Sequence, residues 1–298
     1  MRSSLSIIKA TALEILSGPL TLLVLLSALA LTVLAPTFHY HQFGDPTRMA
    51  RDAGFSALFT CGSVIAVFGT IRAFRREVET GTLEMALAHP LSRTMFFLSK
   101  TVGAFLAYVV FALIVLGTTM VVFEGAEVGG IIARQSGDIA RIYGPCLAVG
   151  IGIIVLPLVI AATLNRFVRC RFVLSSVMLA FVFALIAAGV VIGLARWHVL
   201  RLIAVAVLLM QPAAVLLVTA ASFAVRLRAN AAAAAPGGLL AVSLPAIGNY
   251  YLVDALADGG SLAWGYVGVA VAVTLPAVIA FLLLGVHFIN GRDVLWTT

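Results

Sequence analysis

Charged side chains are scarce in this sequence: they make up 10% of 298 residues, where soluble domains usually carry about a quarter. A water-soluble globule of this size cannot cover its surface with so few charges. Disorder is excluded as well, because it needs low hydrophobicity, and 62% of this chain is apolar. Three cysteines, Cys61, Cys146 and Cys170, are too few for a disulfide framework or a four-thiolate zinc site. The only lysines are Lys9, after Ile8, and Lys100, after Ser99. Neither follows the glycine that a phosphate-binding G-x-x-x-x-G-K-[ST] loop requires, so the chain is not expected to hydrolyse ATP. G-x-S-x-G and H-E-x-x-H are absent too, and no hydrolase is expected.

What is abundant is uninterrupted apolar sequence. Eight intervals without Asp, Glu, Lys or Arg run between Glu14 and Asp45, Asp52 and Arg72, Lys100 and Glu124, Arg141 and Arg166, Arg171 and Arg196, Arg201 and Arg226, Arg228 and Asp254, and Asp258 and Arg292. Each is about 20 residues or longer, the length a helix needs to cross a ~30 Å hydrocarbon core. Helix is the expected conformation, since backbone groups must be satisfied internally there. The reading is an all-α, polytopic membrane protein, a single transmembrane domain over 1–298. Its spans are placed near 18–37, 54–72, 96–123, 143–164, 172–194, 201–225, 231–249 and 262–288. Pro157 and Pro212 imply kinks inside two of them. The seventh is the weakest, holding Ala231–Ala235, then Pro236, Gly237 and Gly238; a broken helix or re-entrant hairpin fits it as well as a full crossing.

Orientation follows the basic flanks. With the N-terminus in the cytoplasm and eight crossings, only Arg48, Arg51, Arg134, Arg141, Arg196 and Arg201 of the 19 lysines and arginines fall on the far side. The C-terminus then returns to the cytoplasm. The net charge of +7 belongs to these flanks, which attract anionic headgroups, and no nucleic-acid partner is expected. No small-x-small cleavage site follows the first apolar run, Leu20–Ala35, so it is read as a span. Ahead of it Leu5, Ile8, Ala12, Ile15 and Leu16 share one helical arc, which suits an interfacial helix; an ordinary N-terminal extension fits nearly as well. The spans lack the ionisable residue that proton- or sodium-coupled transport usually needs.

One cytoplasmic connection, 73–95, differs from the others. Thr82 can cap a short helix with Glu84 in its first turn, and Pro90 marks its end. Leu83, Ala86 and Leu87 share one face of a segment too short to be stable alone, so it is expected to pack on something. The run Glu77-x-Glu79-x-Gly81-Thr82-Leu83-Glu84-x-x-Leu87-x-x-Pro90-x-Ser92-Arg93, followed by Ser99-Lys100-x-x-Gly103, resembles the coupling-helix region of ATP-binding-cassette type-2 permeases. It is most similar to the group of the nitrous-oxide-reductase maturation permease. Phe43-Gly44-Asp45, Ile65 to Thr70, Asn249 to Ala255 and Arg292-Asp293-Val294 carry the same resemblance.

The resemblance implies a six-helix ABC exporter-type core, here with an extra hairpin within Tyr143–Gly248. It implies the permease subunit of an exporter in the cell membrane, working with a separate ATPase subunit and a second permease copy, as homodimer or pseudo-dimer. This chain would carry no cofactor, ATP and magnesium belonging to the ATPase. Arg76, Glu77, Glu79, Gly81, Thr82, Leu83, Glu84, Leu87, Pro90 and Arg93 would form the ATPase-docking element, with Leu83, Met85 and Leu87 as an apolar plug and Arg75, Arg76, Glu77, Glu79 and Arg93 as its polar rim. A haem- or cofactor-maturation permease of cytochrome assembly, and a non-transporting scaffold that recruits an ATPase, are the alternatives. Substrate identity is not legible.

The remaining constellations are weaker. His39 and His41 can present two imidazoles to a metal, but interfacial histidines are the plainer reading. Cys170 lies between Arg169 and Arg171 and reads as a loop thiol. Thr163, Asn165 and Gln211 are read as bonding carbonyls freed in bent helices in preference to lining a path. Gly144, Gly150 and Gly152 can let helices approach closely or serve local packing only.

Overall fold

The computed structural model describes residues 2–36, 46–79, 92–136, 139–193, 201–226 and 264–290, with positions 232, 234 and 236 singly. Among these the chain forms helices and no strand. Helices α1 (Arg2–Leu16) and α2 (Pro19–Leu34) meet at a 61° bend. Pro19 opens α2, where its missing N–H leaves nothing unpaired, and it holds Gly18 extended at φ −72°, ψ 138°. The Thr21 hydroxyl donates to the Ile15 carbonyl at 2.5 Å across the bend. Helices α3 (Pro46–Val64) and α4 (Thr70–Glu79) continue one another through a π-helical turn, Ile65–Gly69. Then come α5 (Arg93–Ser136), α6 (Ile139–Val168), α7 (Phe172–Gly193), α8 (Arg201–Arg226) and α9 (Trp264–Asn290). Pro157, Pro212 and Pro276 lie inside α6, α8 and α9 without ending them.

Six of these helices are long and apolar enough to cross a membrane, or seven if the bent α1–α2 pair is one span. Alone, the 16 residues of α2 reach about 24 Å, short of a ~30 Å core. The interval 231–249 read as a seventh crossing lies outside the described residues except for single positions, as do His39 and His41. Several helices outrun their apolar intervals. The longest, α5, has 44 residues and spans about 66 Å. A charge-free interval marks the lipid-compatible part of a helix, and the helix itself continues through polar flanks that water or protein can satisfy.

Helix α5 occupies the centre of the bundle. Tyr108, Phe111, Ile114 and Val115 are buried there, and α1, α2, α3, α6, α7 and α8 pack around them. Small residues set the crossings. A Cβ on Gly117 would lie 2.9 Å from the Ala184 carbonyl of α7, and one on Gly150 would lie 2.7 Å from Val33 of α2. Gly150 therefore does admit a neighbouring helix, whereas Gly152 meets only Leu156 of its own helix. At the periphery α9 exposes Val269, Val273 and Leu283, apolar side chains suited to lipid.

With α3 and α4 counted as one continuous helix, direction alternates from α2 to α8, but α8 and α9 run parallel. Ala204 and Leu208 near the start of α8 pack on Val267 near the start of α9. Leu216, Ala220 and Ala224 near the end of α8 share a cluster with Ile289 near the end of α9. Arg226 and Trp264, between which only positions 232, 234 and 236 are described, therefore lie at opposite ends of this pair. Ile7 of α1 joins the same cluster as Ile289, so the first and last described helices have their outer ends together.

Candidate functional site

The segment singled out in the sequence joins the end of α4 to the start of α5. Of its residues, Gly81, Thr82, Leu83, Glu84, Leu87 and Pro90 lie outside the described residues. Glu77 and Glu79 are backbone positions in the last turn of α4. Arg76 stands one turn earlier and Arg93 is the first residue of α5. What the structure describes is thus the root of the segment, its two helix ends and the ground they stand on.

Local chemistry accounts for the α5 root. Ser92 occupies the N-cap position, and its hydroxyl accepts the Met95 N–H at 3.3 Å. The Phe96 N–H bonds the Ser92 carbonyl at 3.1 Å. The serine of the Pro-x-Ser-Arg run is therefore the signal that starts the helix. On the other root, the Arg76 guanidinium pairs with Glu14 of α1 at 3.2 Å. Both groups are partly solvated, so the pair contributes about 0–1 kcal/mol, enough to orient Arg76 toward α1 but little more.

Beneath the two roots lies a compact apolar cluster. Ile71 and Phe74 of α4 and Phe96 and Phe97 of α5 meet Leu216, Ala220, Ala221 and Ala224 of α8 and Ile289 of α9. The Phe74 and Phe97 rings are tilted at 5.6 Å between centroids. Gly285 of α9 sits directly against Phe97, leaving no room for a Cβ. Ser222 of α8 donates to the Phe281 carbonyl of α9 at 2.6 Å, and the Arg226 guanidinium lies 5.1 Å from the Phe288 ring centre. Inside this cluster Lys100 is 0% exposed, with its ammonium 5.2 Å from the Phe74 ring centre and 5.6 Å from that of Phe96.

Sequence reasoning singled out Arg76 and Arg93 but not Glu14, Phe74, Phe96, Phe97 or the burial of Lys100. A signal for the last was present: Phe96 and Lys100 are four apart, hence on one helical face. Elsewhere, Cys170 is partly exposed beside Arg169, which adopts φ 56° in the turn between α6 and α7. Thr163 bonds the Ile160 carbonyl at 2.7 Å, and Asn165 is exposed. Gln211 does something different from the expectation: its amide oxygen lies 3.3 Å from the Thr274 hydroxyl, whose one proton it shares with the Ala270 and Val271 carbonyls at 3.0 and 3.2 Å, so it reaches across to α9 rather than mending its own helix.

A family model described as "ABC-2 family transporter protein" matches residues 6–187, more than half of the chain, from α1 through most of α7. The stretch 240–298, where part of the sequence resemblance lay, is beyond that match. No curated protein and no solved structure matches the chain.

Proposed function

The chain belongs to the ABC-2 transporter family, and from that premise we propose that this multi-pass permease is the membrane half of an exporter driven by a separate ATPase subunit. The segment 80–91 is the docking element. Leu83, Met85 and Leu87 enter a groove on the ATPase, and Glu77, Glu79, Glu84 and Arg93 line the rim. Arg76 serves two neighbours, since it also faces Glu14. Two permease copies and two ATPases make the working unit. Closure of the ATPases on ATP drives the change between inward- and outward-facing states, and substrate leaves at the far leaflet. The root end of the bundle, with Arg72, Arg75, Arg76, Arg93 and Arg226, is cytoplasmic, and both termini lie there. Within the family, the resemblance of the acidic-Gly-Thr-Leu-Glu run supports kinship with the nitrous-oxide-reductase maturation group.

One observation supports this reading above the others. The helix ends that flank 80–91 share a packed cluster with the ends of α8 and α9. A load applied at the segment therefore reaches the C-terminal helices through direct contact. Replacing both Leu83 and Leu87 with Asp tests the proposal. The ATPase subunit should no longer co-purify with the permease, while the permease itself stays monodisperse in detergent. An ATPase that remains fully bound to the double variant overturns the docking role.

A further inference from the structure

We propose that Lys100 is a positioning residue for energy coupling, a cationic clamp that holds the two roots of the docking segment at a fixed separation. The inference rests on the exporter reading for its meaning, but its geometry stands alone. Lys100 is wholly removed from solvent, and burying an ammonium is unfavourable unless its surroundings favour the charge. Among the groups that do so are the faces of Phe74 and Phe96, each within the ~6 Å range at which a ring attracts a cation. Phe96 lies on the same helix as Lys100, whereas Phe74 lies on α4. The ammonium therefore ties α4 to α5 one to two turns below the point where the segment departs.

An apolar side chain of similar length would fill the same space without the desolvation, but it would bind the Phe74 ring less directionally. The next contacts lead onward. Phe74 meets Phe97, and Phe97 presses on Gly285 of α9. A clamp at Lys100 thus makes α4 and α5 move as one lever against α9. Without it, α4 can slide along α5, and a push on the segment is absorbed locally.

The test measures the separation of the roots in the full-length permease in lipid nanodiscs, without the ATPase. Cys61, Cys146 and Cys170 are replaced by Ser, and spin labels are placed at Arg72→Cys on α4 and Met95→Cys on α5, both exposed positions. Pulsed dipolar spectroscopy should give one narrow distance for Lys100 and for Lys100→Arg. Lys100→Met should populate a second, displaced distance. The ratio of clamped to displaced forms is expected to fall roughly 30-fold, the factor equivalent to ~2 kcal/mol of desolvated cation–π attraction. A lysine with only a structural role would lower the melting temperature of Lys100→Met and leave the distance narrow, which overturns the proposal. Equal broadening in Lys100→Arg also overturns it, because volume and not charge would then be responsible. If Lys100→Met does not fold, Phe74→Leu carries the same expectation, since it removes the ring across the interface and keeps the lysine. Failure here leaves the ATPase-docking role untouched, which the Leu83 and Leu87 double variant decides separately.

Discussion

Substituting Gly103 with valine offers a direct test of whether α1 is seated on the central helix. A Cβ at this position would lie 2.6 Å from the Ile8 carbonyl oxygen and 2.8 Å from the Thr11 Cβ. The first obstacle is backbone, so no rotamer change relieves it. Ordinary contact starts near 3.4 Å, so α1 must retreat by about 0.8 Å or tilt away, and overpacking of this kind costs about 1–3 kcal/mol. If the cost falls on the docking of α1, its closed-to-open ratio drops roughly 5- to 150-fold. Hydrogen exchange over residues 4–16 in nanodiscs reads this as lost amide protection. Gly189→Val is the control, because a Cβ there meets nothing within 4 Å. Unchanged protection of α1 in Gly103→Val, or an equal loss in Gly189→Val, refutes the reasoning.

Removing the helix cap with Ser92→Ala should destabilise the start of α5 by about 1 kcal/mol, seen as faster exchange at Met95 and Phe96 with little change deeper in the helix. A double-mutant cycle of Gln211→Leu and Thr274→Val should give a coupling of about 0.6 kcal/mol in thermal unfolding, the usual size of an interhelical hydrogen bond in a membrane. Because α8 and α9 run parallel, cysteines introduced at Arg228 and Asp258 should label from opposite faces of the membrane; labelling from one face would exclude a crossing between them. A double-mutant cycle of Arg76→Ala and Glu14→Ala should give a coupling below about 1 kcal/mol in thermal unfolding, since both side chains of the pair are partly solvated.

The helical, membrane-spanning architecture was legible because hydrocarbon imposes it: apolar runs of sufficient length and scarce charge leave few other solutions. The break between α1 and α2 was legible too: an amphipathic helix was expected ahead of a span beginning near residue 18, and Gly18-Pro19 marks the bend. Two features were hidden. The first is the burial of Lys100. A rule that delimits spans by charged residues assigns each charge to a solvated flank, and Lys100 served as such a boundary. The helix passes through it, and the Phe74 and Phe96 rings lie against an ammonium that the rule assigns to water. Gln211 was read within its own helix because sequence shows local neighbours only, while its partner Thr274 is 63 residues away. The docking segment was legible as a motif, and Ser92 shows what part of that motif is local: a cap.

The two largest apolar clusters divide the work of the fold in a way that bears on coupling. The larger one surrounds α5 with leucine, isoleucine, phenylalanine and many alanines, and it holds α1 to α8 together. The smaller one, below the segment roots, is the place where α4, α5, α8 and α9 all meet. On α8 it is faced by Ala220, Ala221 and Ala224, small side chains that let Phe74, Phe96 and Phe97 lie close to that helix. Close-packed interiors transmit displacement because they have few voids to absorb it. A movement at the roots must therefore pass to α8 and α9, or the aromatic layer must open. Enlarging one of those alanines separates the alternatives: Ala221→Leu should force the layer apart by overpacking, at a cost of about 1–3 kcal/mol. The docking segment itself would be untouched. ATPase binding that survives in Ala221→Leu, with the ATP-dependent change in root separation lost, is the result expected if the layer is the transmission. Retention of both would assign the transmission to another path.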